Sequence, residues 1–177
     1  MLNNFKVSPC SRKDLRNYAL LIRQKTKLEF QLEFPIVEVL EILVADEKLN
    51  LEILPDEDMP DSYGETLYTT NVIRLRESTY NGACEGNPFC RSTIAHELLH
   101  CFKHRYEEIK FCKTVEEIQS IKSYEDAEWQ ANCFAGELLV PMHLVKGLTV
   151  EEVVEKCKVS HSMASYQLQQ YEKDDWK

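Results

Sequence analysis

Apolar residues recur at helical spacing in four long stretches of the chain. These are residues 11–27, 36–43, 91–104 and 123–139. Local signals support several of their ends, because Ser11 can cap the first stretch, Pro35 suits a helical first turn, and Pro141 stops the fourth stretch. The pattern therefore predicts four main helices.

Three shorter segments, residues 50–54, 65–70 and 72–76, mix β-branched and apolar residues and are separated by Pro, Gly and Asn. They predict a small antiparallel sheet. Residues 81–88 contain two Gly, a Pro and an Asn, which is typical of a loop, and this loop leads into the third helix. The predicted fold class is α+β, with a three-stranded antiparallel sheet packed against that helix and the surrounding helices.

A pair of shorter helices is predicted near the end of the printed sequence. Thr149 and Glu152 form a capping-box pattern, and residues 160–171 continue with helical spacing. No Gly-, Ser- or Pro-rich linker interrupts the chain, so residues 1–177 are interpreted as one domain. We divide it into N-terminal helices (1–50), a core (51–141) and the C-terminal helix pair (142–177).

Composition and charge narrow the classes of function. The net charge of −9 repels phosphate backbones and disfavours direct nucleic-acid binding. No apolar run approaches the roughly 20 residues that span a bilayer, and residues 1–10 lack a secretory pattern, so we expect a cytoplasmic protein without a membrane partner. Its seven cysteines form no CxxC pair, and we interpret them as mostly reduced.

The third predicted helix carries an HExxH motif at residues 96–100. Residues four apart on a helix are offset by about 6 Å of rise and about 40° of rotation, so His96 and His100 share one face and can bind one ion. Glu97 lies beside them and is the predicted general base. Two imidazoles and a carboxylate are a ligand set typical of catalytic zinc, which makes this a predicted site of metal-assisted amide hydrolysis.

A third protein ligand is expected from the next long helix. Its candidates are Glu125, Glu128 and Glu137. Asn132 lies one turn after Glu128, so Glu128 could bind the metal while Asn132 binds the other ring nitrogen of a histidine. Glu125 is the nearest rival, because it lies on almost the same face, and spacing alone does not decide between them.

The two motifs together resemble the ImmA/IrrE family of zinc metallopeptidases. TIAHELLH at residues 93–100 is similar to that family's AHElgH helix, and EWQANCFAGELLVP at residues 128–141 is similar to its second helix, E.EAN.FA.eLLmP. The stretch at 71–77 is similar to the strand before the active-site helix, so the resemblance covers about residues 51–141. Gln130 stands where the family has Glu, and Leu99 where it has Gly; neither position is a ligand.

The resemblance implies a specific function and site. It favours Glu128 as the third zinc ligand with Asn132 as its supporting residue. It also implies an endopeptidase that cleaves a co-encoded helix-turn-helix repressor of a prophage, another mobile element or a stress operon. The group that stabilises the oxyanion stays open among three candidates: His104, Tyr106 and Tyr80. Of these, His104 is interpreted as an exposed residue at the helix end or the rim of the site.

The alternative is a non-enzymatic, zinc-containing regulatory module that binds a repressor or DNA through the C-terminal helix pair. Residues 160–171, the would-be recognition helix, contain no Lys or Arg, which disfavours phosphate contacts. The intact Glu97 disfavours a purely structural metal, because a structural site needs no base beside its ligands. We therefore prefer the peptidase hypothesis.

Overall fold

A computed structural model describes residues 5–104, 110–111 and 120–176. Its helices within these ranges are α1 (Arg12–Lys25), α2 (Ile36–Ala45), α3 (Glu77–Cys84), α4 (Pro88–Phe102), α5 (Ala127–Leu139), α6 (Met142–Val145), α7 (Val150–Cys157) and α8 (His161–Lys173). Its strands there are β1 (Phe5–Lys6), β2 (Asn50–Leu54), β3 (Gly64–Leu67), β4 (Val72–Arg76) and β5 (Lys110–Phe111). Two 3₁₀ turns, Asp56–Asp58 and Ser123–Glu125, complete these elements.

The main sheet has three strands in the order β2-β4-β3, which confirms the predicted α+β class. The wholly antiparallel pairing is wrong, however. β3 and β4 pair antiparallel across a short turn, in which Asn71 takes the left-handed conformation that asparagine tolerates. β2 runs parallel to β4, because residues 55–63 carry the chain across to the far edge before β3 begins. A separate antiparallel ladder joins β1 to β5.

The core forms where α4 packs against α5 on one side and against the sheet on the other. The α4 side chains Ile94, Ala95, Leu98 and Leu99 are buried, as are Ala131, Phe134, Ala135, Leu138 and Leu139 of α5. Burial of apolar side chains such as these is the main driving force for folding. The two helices are therefore held in a fixed relation to each other, which matters for the site between them.

The predicted cap at Ser11 and the predicted capping box at Thr149 are both confirmed. The structure shows that Ser11 also forms a capping box, with Asp14. The predicted loop before α4 is wrong over most of its length. Residues through Cys84 belong to α3, and α4 begins at Pro88 with the Asn87 side chain as its cap. Proline lacks the amide hydrogen that a first-turn residue leaves unpaired, so it begins this helix without loss.

Among the described residues, none of the helices combines the length and the apolar composition that a membrane span requires. Six of the seven cysteines lie there, and all six are free thiols; Cys112 lies outside the described residues.

Candidate metal centre

His96 and His100 project from one face of α4 towards the first turn of α5, where Glu128 meets them. The two Nε2 atoms are 2.9 Å apart, and the Glu128 carboxylate oxygens lie 3.2 Å from Nε2 of His96 and 3.5 Å from Nε2 of His100. Donor atoms on a tetrahedral zinc ion, with bonds of about 2.0–2.1 Å, lie about 3.3 Å apart. These three residues could therefore hold a single metal ion.

Local structure explains how Glu128 reaches the histidines. Asp126 caps α5 by accepting hydrogen bonds from the amides of Glu128 and Trp129, which fixes where the first turn begins. Ala95 and Ala131 are fully buried between the helices, and such small side chains permit a close approach of α4 and α5. The carboxylate is thereby held over the histidine face.

Asn132 lies one turn after Glu128, and its Oδ1 is 3.0 Å from Nδ1 of His96. An amide oxygen can only accept, so His96 donates through Nδ1 and its Nε2 lone pair is left for a metal ion. Hydrogen bonding to Glu128 and the charges of Glu97 and Glu128 raise the pKa of His96 despite its burial. Burial lowers the pKa of His100 well below the usual value and keeps this imidazole neutral.

Glu97 is 6% exposed and borders the same cleft. The hydroxyl of Thr66, on the edge strand β3, donates its one hydrogen to Glu97 and lies 2.7 Å from Oε2 and 3.1 Å from the backbone oxygen of that residue. Burial raises the pKa of Glu97, partly offset by His96 and by the Thr66 hydroxyl. A carboxylate with a raised pKa and a fixed orientation suits proton transfer to and from a neighbouring group.

Of the three candidates for stabilising the oxyanion, two lie within the described residues. His104 is fully buried behind His100, so the interpretation of an exposed rim residue is wrong; its ring packs against His100 and Gln130 inside the fold. Tyr80 lies on α3 and donates to Glu41 at 2.6 Å, a hydrogen bond that raises the pKa of Tyr80 to about 12. Tyr106 lies outside the described residues.

Sequence reasoning missed Tyr68, whose Oη lies 3.1 Å from Nδ1 of His100. Burial, together with the charges of Glu128 and Glu97, raises its pKa, so the phenol stays protonated. A signal was available: residues two apart on an extended segment share a face, and Thr66 and Tyr68 are two apart. They meet Glu97 and His100, which are three apart on one helix face.

The rival acidic residues lie elsewhere. Glu125 is in a 3₁₀ turn and pairs with Lys6 at 3.2 Å. Glu137 is buried further along α5, between the guanidinium groups of Arg12 and Arg16. Neither belongs to the group that could hold a metal ion.

The histidines and both glutamates open into a cleft of about 500 Å³. Its remaining lining residues are Asp61, Ser62, Gly64, Glu65, Thr66 and Tyr68, most of them from β3 and the segment before it. The edge of the sheet therefore forms one wall of the cleft, and the two helices that carry the possible metal ligands form the other.

A His–His–Glu group with an adjacent carboxylate is the kind of site that metallopeptidases use. Residues 88–169 match the Peptidase_M78 family model, described as the IrrE N-terminal-like domain. That segment runs from α4 into α8 and contains both motifs, and the match confirms the resemblance to the ImmA/IrrE family.

A solved structure of a Mycobacterium tuberculosis transcriptional regulator has a similar fold. The TM-score is 0.56 and the sequence identity is 17%, over 88% of this chain and 46% of the other. This chain thus spans less than half the length of that protein, and the likeness concerns the fold alone. No curated protein matches the chain.

Proposed function

We propose that this protein is a zinc-dependent endopeptidase of the cytoplasm. The observation that carries the proposal is the position of Glu97, a buried carboxylate in the same cleft as the His96, His100 and Glu128 donor atoms. Histidine and carboxylate donors at tetrahedral spacing favour zinc. When bound, zinc would polarise the scissile carbonyl and lower the pKa of a water molecule.

The side chains of the cleft then have distinct roles. Glu97 takes a proton from the attacking water and delivers it to the leaving amine nitrogen. Thr66 holds the carboxylate in one orientation through the 2.7 Å hydrogen bond. Tyr68, kept protonated by its raised pKa, is the donor we assign to the developing oxyanion. Asn132 keeps His96 in the tautomer that binds a metal through Nε2.

The proposed substrate is a helix-turn-helix repressor encoded beside this protein in a mobile element or stress operon. Its support is the resemblance carried by the two motifs and the family match over residues 88–169. A soluble protein substrate is consistent with an open cleft bounded by an edge strand, because an extended peptide can lie along such an edge.

The N-terminal helices, the core and the C-terminal pair are proposed to act as one domain. Arg16 of α1 pairs with Glu137 of α5 and with Asp174 just after α8, so one guanidinium joins all three parts. The helix pair serves in this proposal as packing or as a docking site for protein, not for DNA.

The test is an intact-mass time course of the neighbouring repressor mixed with zinc-loaded protein. Glu97→Gln should retain one zinc per chain, measured by elemental mass spectrometry, while cleavage falls at least about a hundredfold. Glu155→Gln, an exposed position on α7, is the matched control and should cleave like the wild type. Cleavage by Glu97→Gln at the wild-type rate would overturn the role of this base.

Absence of cleavage by zinc-loaded wild type would instead favour the non-enzymatic regulatory module. Pull-down of the repressor by the wild type, without any change in its mass, is the result expected for that alternative. The two functions are thus separated by the mass of the partner after incubation.

A further inference from the structure

A buried chain of hydrogen bonds runs from His100 away from the cleft. Nδ1 of His100 lies 2.9 Å from Nδ1 of His104, and Nε2 of His104 lies 3.0 Å from Oε1 of Gln130. Nε2 of Gln130 donates to the backbone oxygens of Ser8 at 2.9 Å and Tyr124 at 2.8 Å. His100 is 3% exposed, and His104 and Gln130 are 0% exposed, so the partners of each ring and amide are set by protein groups.

The side-chain amide of Gln130, at the far end of these hydrogen bonds, has one permitted orientation. Backbone oxygens only accept hydrogen bonds, so the amide group of Gln130 must present its NH₂ to Ser8 and Tyr124. Rotating the amide would place Oε1 against two other oxygens and would leave both carbonyls without this donor, which is unfavourable in a buried site. Oε1 of Gln130 therefore faces His104.

The orientation of the Gln130 amide determines the tautomer of His104, which in turn determines the tautomer of His100. Oε1 is an acceptor, so Nε2 of His104 carries the hydrogen. In a neutral imidazole one nitrogen donates and the other accepts. Nδ1 of His104 therefore accepts from Nδ1–H of His100, and the lone pair of His100 is left on Nε2, which faces His96 and Glu128.

Tyr68 could favour the other tautomer of His100. Its hydroxyl lies 3.1 Å from Nδ1 of His100 and can either donate or accept. If it donated, Nε2 of His100 would carry the hydrogen and could not bind a metal ion. With Nδ1 of His100 already donating to His104, Tyr68 can only accept at this nitrogen.

We propose that Gln130, acting through His104, is a positioning residue that holds His100 in the tautomer able to bind a metal ion. The proposal rests on the proposed function only in assuming that His100 is a metal ligand. It also explains why glutamine suits this position in this chain: a carboxylate would face the oxygens of Ser8 and Tyr124 and could not donate to them.

The test uses Gln130→Leu, with Gln167→Leu as the matched control, since Gln167 is another buried amide whose partners lie on α1 and α8. Long-range proton–nitrogen correlation spectra of the metal-free protein report the tautomer of each ring, with His100 assigned from a His100→Gln variant. Competition between the protein and a chromogenic chelator for zinc chloride gives the affinity.

The wild type and Gln167→Leu should show hydrogen on Nδ1 of His100 and equal zinc affinity. Gln130→Leu should show hydrogen on Nε2 in a substantial fraction and bind zinc about ten- to a hundredfold more weakly. Adding Tyr68→Phe to Gln130→Leu removes the competing donor and should restore Nδ1–H and part of the affinity. A merely misfolded variant would not be rescued in this way.

Hydrogen on Nε2 of His100 in the metal-free wild type would overturn the proposal, as would an unchanged tautomer and zinc affinity in Gln130→Leu. Neither readout requires a substrate. A protein that shows the expected tautomers but never cleaves the repressor would refute the peptidase function and leave this inference standing. Cleavage without any effect of Gln130 on tautomer or affinity would do the reverse.

Discussion

Replacing Glu137 should destabilise the fold without disturbing the metal centre. This carboxylate is 2% exposed and accepts hydrogen bonds from Arg12 at 2.9 Å, Arg16 at 3.0 Å and the Tyr171 hydroxyl at 3.0 Å. It therefore joins α1, α5 and α8 in a single network. Glu137→Gln keeps the shape and one acceptor oxygen but removes the charge that the two guanidinium groups face.

The magnitude follows from burial. Removing one partner of a buried ion pair costs about 3–5 kcal/mol, because the other charge stays desolvated. The side chains of Arg12 and Arg16 are each 13% exposed, and Arg16 retains Asp174 at 2.6 Å, so the lower end of the range applies. We expect a loss of about 3 kcal/mol, which corresponds to about 6–12 °C in Tm for a domain of this size.

Urea and thermal unfolding measure this loss, with Glu155→Gln as the exposed control, which should stay within about 0.5 kcal/mol of the wild type. Zinc affinity should be unchanged in Glu137→Gln, because the residue is not among the donor atoms. A loss below about 1 kcal/mol would refute the argument from burial. A weakened zinc affinity in a folded variant would refute the assignment of Glu137 to the structural network.

Three further predictions concern the metal, a helix contact and alkaline pH. Removing zinc with a chelator should lower Tm, since a ligand at a thousandfold excess over its Kd stabilises the fold by about 4 kcal/mol. A Tm that does not change with zinc would contradict this prediction. The zinc affinity should weaken as pH falls, because His96 must lose its proton to bind the ion. Gly136→Ala should cost about 1–3 kcal/mol in urea unfolding, because the new Cβ would lie 2.8 Å from Cδ of Gln167; an unchanged midpoint would show that this contact relaxes freely. The pKa of Tyr80 is about 12 in the fold against 10.0 ordinarily, so its contribution to stability is complete below pH 10 and is lost as pH rises through 12. Tyr80→Phe should therefore show a smaller drop in unfolding free energy between pH 9 and pH 11, and a drop equal to that of the wild type would contradict the shift.

Features that depend on residues three or four positions apart could be predicted from the sequence. The HExxH motif places two imidazoles on one helix face whatever surrounds the helix, and the cap at Ser11 and the capping box at Thr149 close within a single turn. The strand bounds at 50–54 and 72–76 were predicted correctly for a similar reason, since alternation and turn residues act locally. The α3 helix was missed because its Gly and Asn residues are weak helix formers and tertiary packing outweighs that preference.

Strand direction and the partners of buried polar groups depended on contacts between distant parts of the chain. Nothing local distinguishes Glu125, Glu128 and Glu137, yet one pairs with Lys6, one meets the histidines of α4 and one is enclosed by arginines of α1. His104 has the same helical spacing from His100 as His96 has, but it faces the interior, where Gln130 is its partner. The sequence by itself therefore determined which side chains share one helix face, because helical geometry is local. Only the tertiary structure decided which of them meet, because α4, α5 and the sheet must first pack around one core.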